Sequence, residues 1–161
     1  MSAYARPGHR CQHNLNYWRF GDYLGIGAGA HGKLSFAHRM VRQVRYREPL
    51  GYMDRALAGQ AVTQDDEVAR ADLPFEFMMN ALRLTEGFAL SLFNERTGLP
   101  LSTILPALEQ AQTRGWVQRD GDWLRPTQSS IAASAVGMAV SLQSFRFQYF
   151  PLYIDKFVST P

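Results

Sequence analysis

Trp116-Val117-Gln118-Arg119-Asp120-Gly121-Asp122-Trp123-Leu124 sets two short mixed runs on either side of Asp120-Gly121. Asp-Gly between such runs is the strongest local signal for a β-hairpin. The two segments before it have helical punctuation. Ser102 to Arg114 turns Leu105 and Leu108 inward and stops at Gly115, and Ala89 to Thr97 stops at Gly98. Helix, helix, hairpin is the order of a winged helix-turn-helix unit.

Toward the N-terminus the text is predicted to turn helical from Thr63, with Asp65, Asp66 and Glu67 suited to the positive first turn of a helix. Phe75, Met78, Met79 and Leu82 fall at i, i+3, i+4 and i+7, one apolar stripe, so the two methionines are expected in the core. Pro74 inside this pattern predicts a kink or a second helix starting near Leu73, and Gly87 closes the segment. Arg39 to Arg47 alternates arginines with Val41, Val44 and Tyr46, which suits an exposed edge strand ended by Pro49. Its arginines are available to phosphates or propionates, although a solvated face explains them as well. Tyr23 to Ala30, Tyr-Leu-Gly-Ile-Gly-Ala-Gly-Ala, is expected as a short buried strand running into a glycine-rich turn. Glycines there permit positive φ or close approach to a ligand, but the spacing is not that of a dinucleotide fingerprint.

The chain has 161 residues, 46% of them hydrophobic and 19% charged, with a net charge of +3. A polypeptide of that length buries a substantial core, and the composition excludes collagen-like, mucin-like and broadly disordered classes. Cys11 is the one cysteine. It excludes an internal disulfide framework, a four-cysteine zinc site and an iron–sulfur cluster built by this chain alone. The longest mostly apolar stretch, Ile131 to Leu142, is too short to span about 30 Å of hydrocarbon. The first ten residues lack the apolar core of a signal peptide, so a cytoplasmic location without a transmembrane segment is expected. Few cations occupy the presumptive second helix of the winged unit, so no nucleic-acid partner is expected from it.

His13-Asn14-x-x-Tyr17-Trp18, followed by Tyr23-Leu24-Gly25-Ile26-Gly27-Ala28-Gly29-Ala30-His31-Gly32, resembles the HemW-like haem chaperone family. That family lies in the radical S-adenosylmethionine superfamily, beside the oxygen-independent coproporphyrinogen III oxidases. Leu73-Pro74-Phe75-Glu76-Phe77-Met78-Met79-Asn80-Ala81-Leu82-Arg83-Leu84 and Arg96-Thr97-Gly98-Leu99-Pro100 look like the same family, and the resemblance covers about residues 2 to 127. It implies an α+β fold: terminal strands of a partial radical-SAM TIM barrel, at Ser2 to Ala5 and Tyr23 to Ala28, followed by a helical, winged-helix-like C-terminal domain. The implied division is residues 1–48, end of the barrel; 49–127, C-terminal helical and winged domain; and 128–161, a divergent tail. The tail packs Phe145, Phe147, Tyr149, Phe150, Tyr153 and Phe157 around Pro151 with no single period.

The resemblance also implies the site. Haem handling falls to His13, Asn14, Tyr17 and Trp18. Bottom-up, an imidazole ligates haem iron through one nitrogen when an acceptor holds the other, an amide bonds a propionate, and two aromatic rings offer flat area to a porphyrin. The S-adenosylmethionine edge falls to Gly27, Ala28, Gly29, Ala30 and His31, where glycines permit close approach. The 4Fe-4S cluster belongs to a three-cysteine motif that this sequence lacks, so no metal ligands and no catalytic residues are assigned here, and the chain alone is expected to be inactive. Implied partners are haem, acceptor haemoproteins and a missing N-terminal barrel, with peripheral membrane contact allowed. Two other readings stand beside this one: part of an oxygen-independent coproporphyrinogen III oxidase, and a winged-helix nucleic-acid module.

Overall fold

The computed structural model describes residues 9–128. The expected strand at Ser2 to Ala5 and the aromatic tail lie outside the described residues. The chain opens with helix α1 (Gln12–Trp18), then β1 (His31–Ser35), β2 (Met40–Arg45), α2 (Pro49–Leu57) and β3 (Val62–Glu67). There follow α3 (Leu73–Ala81), β4 (Phe88–Ala89), α4 (Ser91–Thr97), a 3-10 turn (Leu101–Thr103), α5 (Leu105–Thr113), β5 (Val117–Asp120) and β6 (Trp123–Pro126). Two three-stranded antiparallel sheets result, ordered β1-β2-β3 and β4-β6-β5. The architecture is mixed helix and antiparallel sheet.

The hairpin forms as expected. Asp120 pairs with Trp123 across a two-residue loop, and Gly121 takes φ 57 at its first position. That is the arrangement of a II′ turn, whose twist matches the flanking strands. Trp123 Nε1 donates to the Glu86 carbonyl at 2.9 Å, and Leu90 N–H donates to the Asp122 carbonyl at 2.7 Å, which docks the hairpin on the turn between α3 and α4.

Four expectations need correction. Tyr23 to Ala28 is not a strand: Tyr23 alone pairs, as an isolated bridge with Lys33, and Leu24 and Ile26 are exposed. Gly25 lies so close to the next strand that a Cβ there would sit 2.3 Å from the His31 carbonyl oxygen, and Gly27 turns at φ 107, so the chain bends away instead of extending. Arg39 to Arg47 holds the middle strand β2 rather than an edge, because an acidic strand covers its second side, with Asp66 opposite Arg42 and Asp65 opposite Gln43. The same pairing places Asp65, Asp66 and Glu67 in β3 and not in a helix's first turn. Finally, the stripe Phe75, Met78, Met79 and Leu82 is not the buried face: α3 starts at Leu73, as expected from Pro74, and buries Leu73, Phe77, Met78 and Ala81, leaving Phe75, Met79 and Leu82 half-buried. Proline sets the start, and the start sets which face meets the core.

Smaller shifts follow the same logic. Phe88 and Ala89 pair with β6 before α4 begins, and Pro106 delays α5 behind the 3-10 turn. Gly98 caps α4 in the left-handed region, as its position implied. The sheet β1-β2-β3 straddles residue 48.

One apolar core joins both sheets. Phe77 sits at its centre, edge-on to Phe20, Phe88 and Phe93 with ring centroids 5.7, 5.7 and 5.3 Å away. Leu15 and Trp18 of α1 pack against this core, which fixes one face of that helix and turns the other outward.

Candidate functional site

On the outward face of α1, His13 and Tyr17 stand one turn apart. His13 is exposed, and its ring meets the Tyr17 ring edge-on, centroids 4.4 Å apart at 85°. Tyr17 in turn meets Tyr23 edge-on at 4.3 Å and 75°. Three rings therefore run from the imidazole toward the glycine-rich loop. Asn14 and Trp18 are half-buried; Trp18 spends part of its ring on the core and leaves part toward solvent.

The corner after α1 holds this face in place. Phe20 adopts φ 57, and among the described residues it is the only non-glycine at positive φ. A bulky side chain in that region is strained. At the next residue, Gly21, a Cβ would lie 2.1 Å from Asn16 Oδ1, so any larger residue there would displace the Asn16 side chain. Asn16 uses its amide to bond the Asp22 carbonyl at 2.9 Å.

Beneath the corner lies Lys33, only 1% exposed. Its ammonium donates to the Phe20 carbonyl at 3.0 Å, Asp22 Oδ1 at 3.0 Å and Ser35 Oγ at 3.1 Å, and sits 4.3 Å from the Phe20 ring centroid. Asp22 also accepts from the Ser35 hydroxyl at 2.7 Å and the Ser35 N–H at 2.9 Å. Burial pushes the Lys33 ammonium below its ordinary pKa despite the Asp22 carboxylate beside it. For Asp22, burial acts to raise the pKa, but the bonds from Ser35 and Lys33 outweigh it and hold the carboxyl below its ordinary value.

The glycine-rich loop is tied inward. Gly27 N–H donates to Tyr52 Oη at 3.1 Å, Gly29 N–H to the Tyr46 carbonyl at 2.6 Å, and Ala30 N–H to the Gly27 carbonyl at 3.2 Å. The Arg45 guanidinium binds the Gly25 carbonyl. Gly27 and Gly29 both take positive φ, while Ile26 and Ala28 face solvent. A ligand at this loop would thus meet apolar edges and the close glycine backbone, because these N–H groups are already engaged. His31 opens β1 and is exposed at its side chain.

The structure therefore gathers His13, Tyr17 and Tyr23 on one surface, and Gly27, Ala28, Gly29, Ala30 and His31 in and just after the following loop. Sequence reasoning did not single out Phe20, Asp22, Lys33 or Tyr52. Lys33 looks like any strand lysine in Gly32-Lys33-Leu34; only tertiary burial distinguishes it. Among the described residues, no group of three or more His, Cys, Asp or Glu side chains is placed to hold a metal ion, and no helix is long and apolar enough to cross a membrane.

Comparison with known proteins gives a consistent picture. The HemN C-terminal domain family matches residues 68–131. A protein named heme chaperone HemW from Escherichia coli K12 is 44% identical over 128 residues, which are 79% of this chain and 33% of that one. A heme chaperone HemW from Haemophilus influenzae is 42% identical over 122 residues, 75% of this chain and 31% of that one. The chain thus spans about a third of the length of these curated relatives. Among solved structures, the E. coli coproporphyrinogen III oxidase HemN, described as a radical SAM enzyme, superposes with a TM-score of 0.51 at 15% identity. That match covers 78% of this chain and 29% of HemN, and it establishes a shared fold.

Proposed function

We propose, for a chain that belongs to the HemW-like haem chaperone family, that its α1 face binds haem through His13 for delivery to acceptor haemoproteins. The observation that carries this reading is the exposed imidazole of His13, braced edge-on by Tyr17, which is braced by Tyr23. Bound haem would supply an iron that takes an imidazole nitrogen. The residues present fit that demand: a ligand histidine needs an accessible ring whose orientation its neighbours restrict. Tyr17, Tyr23 and the outer part of Trp18 offer apolar area to the porphyrin, and Asn14 offers an amide to a propionate. A half-open seat suits a carrier, which must release its cargo to a partner.

In the same reading, Gly27, Ala28, Gly29, Ala30 and His31 form one edge of an S-adenosylmethionine pocket. A partial radical-SAM barrel would complete that pocket and contribute the 4Fe-4S ligands. The barrel's end then lies within residues 1–48 and the C-terminal domain within 49–127, with the sheet β1-β2-β3 running across the boundary. The order α3, β4, α4, α5, β5, β6 supports a winged-helix arrangement for the C-terminal domain. The protein works in the cytoplasm, with peripheral membrane contact allowed and no nucleic acid involved.

Soret titration of the chain with ferric haem tests the reading. His13→Ala should weaken binding about tenfold or more and shift the band; equal affinity and an unchanged band would overturn it.

A further inference from the structure

We propose that Lys33 is the positioning residue of the haem-binding face, acting on His13 through the strained Phe20 corner and the Tyr23–Tyr17 rings. This rests on the haem reading above and adds to it the part that sets the imidazole's orientation.

Lys33 holds residues 20 to 23 in two ways. Its main chain pairs reciprocally with Tyr23, with N–H to carbonyl distances of 2.9 and 3.0 Å. Its ammonium reaches the Phe20 carbonyl, Asp22 and Ser35. The segment it grips begins two residues after α1 ends and closes with the ring that abuts Tyr17. A shift of that segment therefore moves Tyr23, then Tyr17, then His13.

Two independent features argue that the grip serves more than stability. First, burying a lysine is a poor way to gain stability: Lys33 gives up its water while its partner Asp22 stays 42% exposed, so desolvation offsets much of the attraction. A hydrophobic side chain would fill this site at less cost, so the lysine is better explained by what it bonds. Second, Phe20 keeps a left-handed backbone, φ 57, which an L residue with a bulky side chain adopts only under strain. The helix-end bonds from Phe20 N–H to the Tyr17 carbonyl and from Gly21 N–H to the Asn16 carbonyl set that conformation, and Lys33 takes the buried carbonyl of the same residue. Strain held at a corner beside the candidate ligand is the arrangement expected of a preorganised site.

Ferric haem titration of the full chain, with Lys33→Met, His13→Ala and the double variant, tests this. Lys33→Met should weaken haem binding about tenfold and broaden or shift the Soret band while near-UV circular dichroism and melting temperature stay close to those of the parent. In the His13→Ala background the same change should have no further effect on affinity, because Lys33 acts through His13. A general loss of packing would instead lower affinity in both backgrounds. Wild-type affinity and spectrum in Lys33→Met would overturn the positioning role and leave the haem reading standing. Should His13→Ala itself bind as the parent does, the haem reading fails. If Lys33→Met does not fold, Asp22→Asn, which keeps the lysine and the shape of its partner, is judged by the same criteria.

Discussion

His13, Tyr17 and Trp18 were legible in the sequence because their spacing and neighbours form a distinctive string, and the structure places the first two on one face of α1. What holds that face was not legible. Lys33 and Asp22 are eleven residues apart, and neither the strain at Phe20 nor the burial of Lys33 has a local signature; each arises when β1 folds beneath the corner. The pair has a consequence in acid. Because the carboxyl of Asp22 is held below its ordinary pKa in the fold, its contribution to stability is complete above the unfolded value of about 3.9 and is lost as pH falls through the lowered value. Chemical denaturation across that window should show the parent losing more stability than Asp22→Asn. Parallel curves would mean that the carboxylate is not coupled to folding.

Among the elements, the hairpin β5–β6 and the glycine stops were readable because turn chemistry is local: positive φ at Gly98, Gly115 and Gly121 needs only the residue itself. Strand β3 was not readable. Val-Thr-Gln-Asp-Asp-Glu has no apolar alternation, and five of its six residues are exposed; it is a strand because its backbone completes the hydrogen-bonding of β2 along Val41 to Arg45. Two glycines separate conformational from steric need. At Gly98, φ is 65 and nothing would touch a Cβ, so Gly98→Ala should cost about 1 kcal/mol in urea unfolding. At Gly87, φ is 88 and a Cβ would lie 2.4 Å from the Leu124 carbonyl oxygen and 2.6 Å from Trp123 Nε1, so Gly87→Ala should cost about 3 kcal/mol. Equal costs would show that the α3–α4 turn is not packed on the hairpin. The half-buried Arg42–Glu76 ion pair, which ties β2 to α3, should give a coupling of about 1 kcal/mol in a double-mutant cycle with Arg42→Met and Glu76→Gln. Strict additivity would remove it as a link between the two elements.

Across the molecule, a single apolar core unites α1, β2, the three later helices and the hairpin, with Phe77 fully buried in the middle. Phe77→Ala should therefore cost about 3–5 kcal/mol and melt both sheets together. A biphasic transition, with β1-β2-β3 surviving, would contradict that union. The same core explains why α1, only seven residues long, holds a defined face: Leu15 and Trp18 anchor it while His13 and Tyr17 look outward. The haem assignment depends on that face. Its most direct test is the nuclear magnetic resonance spectrum of the isotopically labelled chain with one equivalent of ferric haem. Paramagnetic broadening centred on His13, Tyr17 and Tyr23 is the result expected. Broadening centred instead on the apolar pocket that Pro74, Met78 and Leu82 form with Leu108 and Ala111, with the His13 signals unchanged, would contradict it.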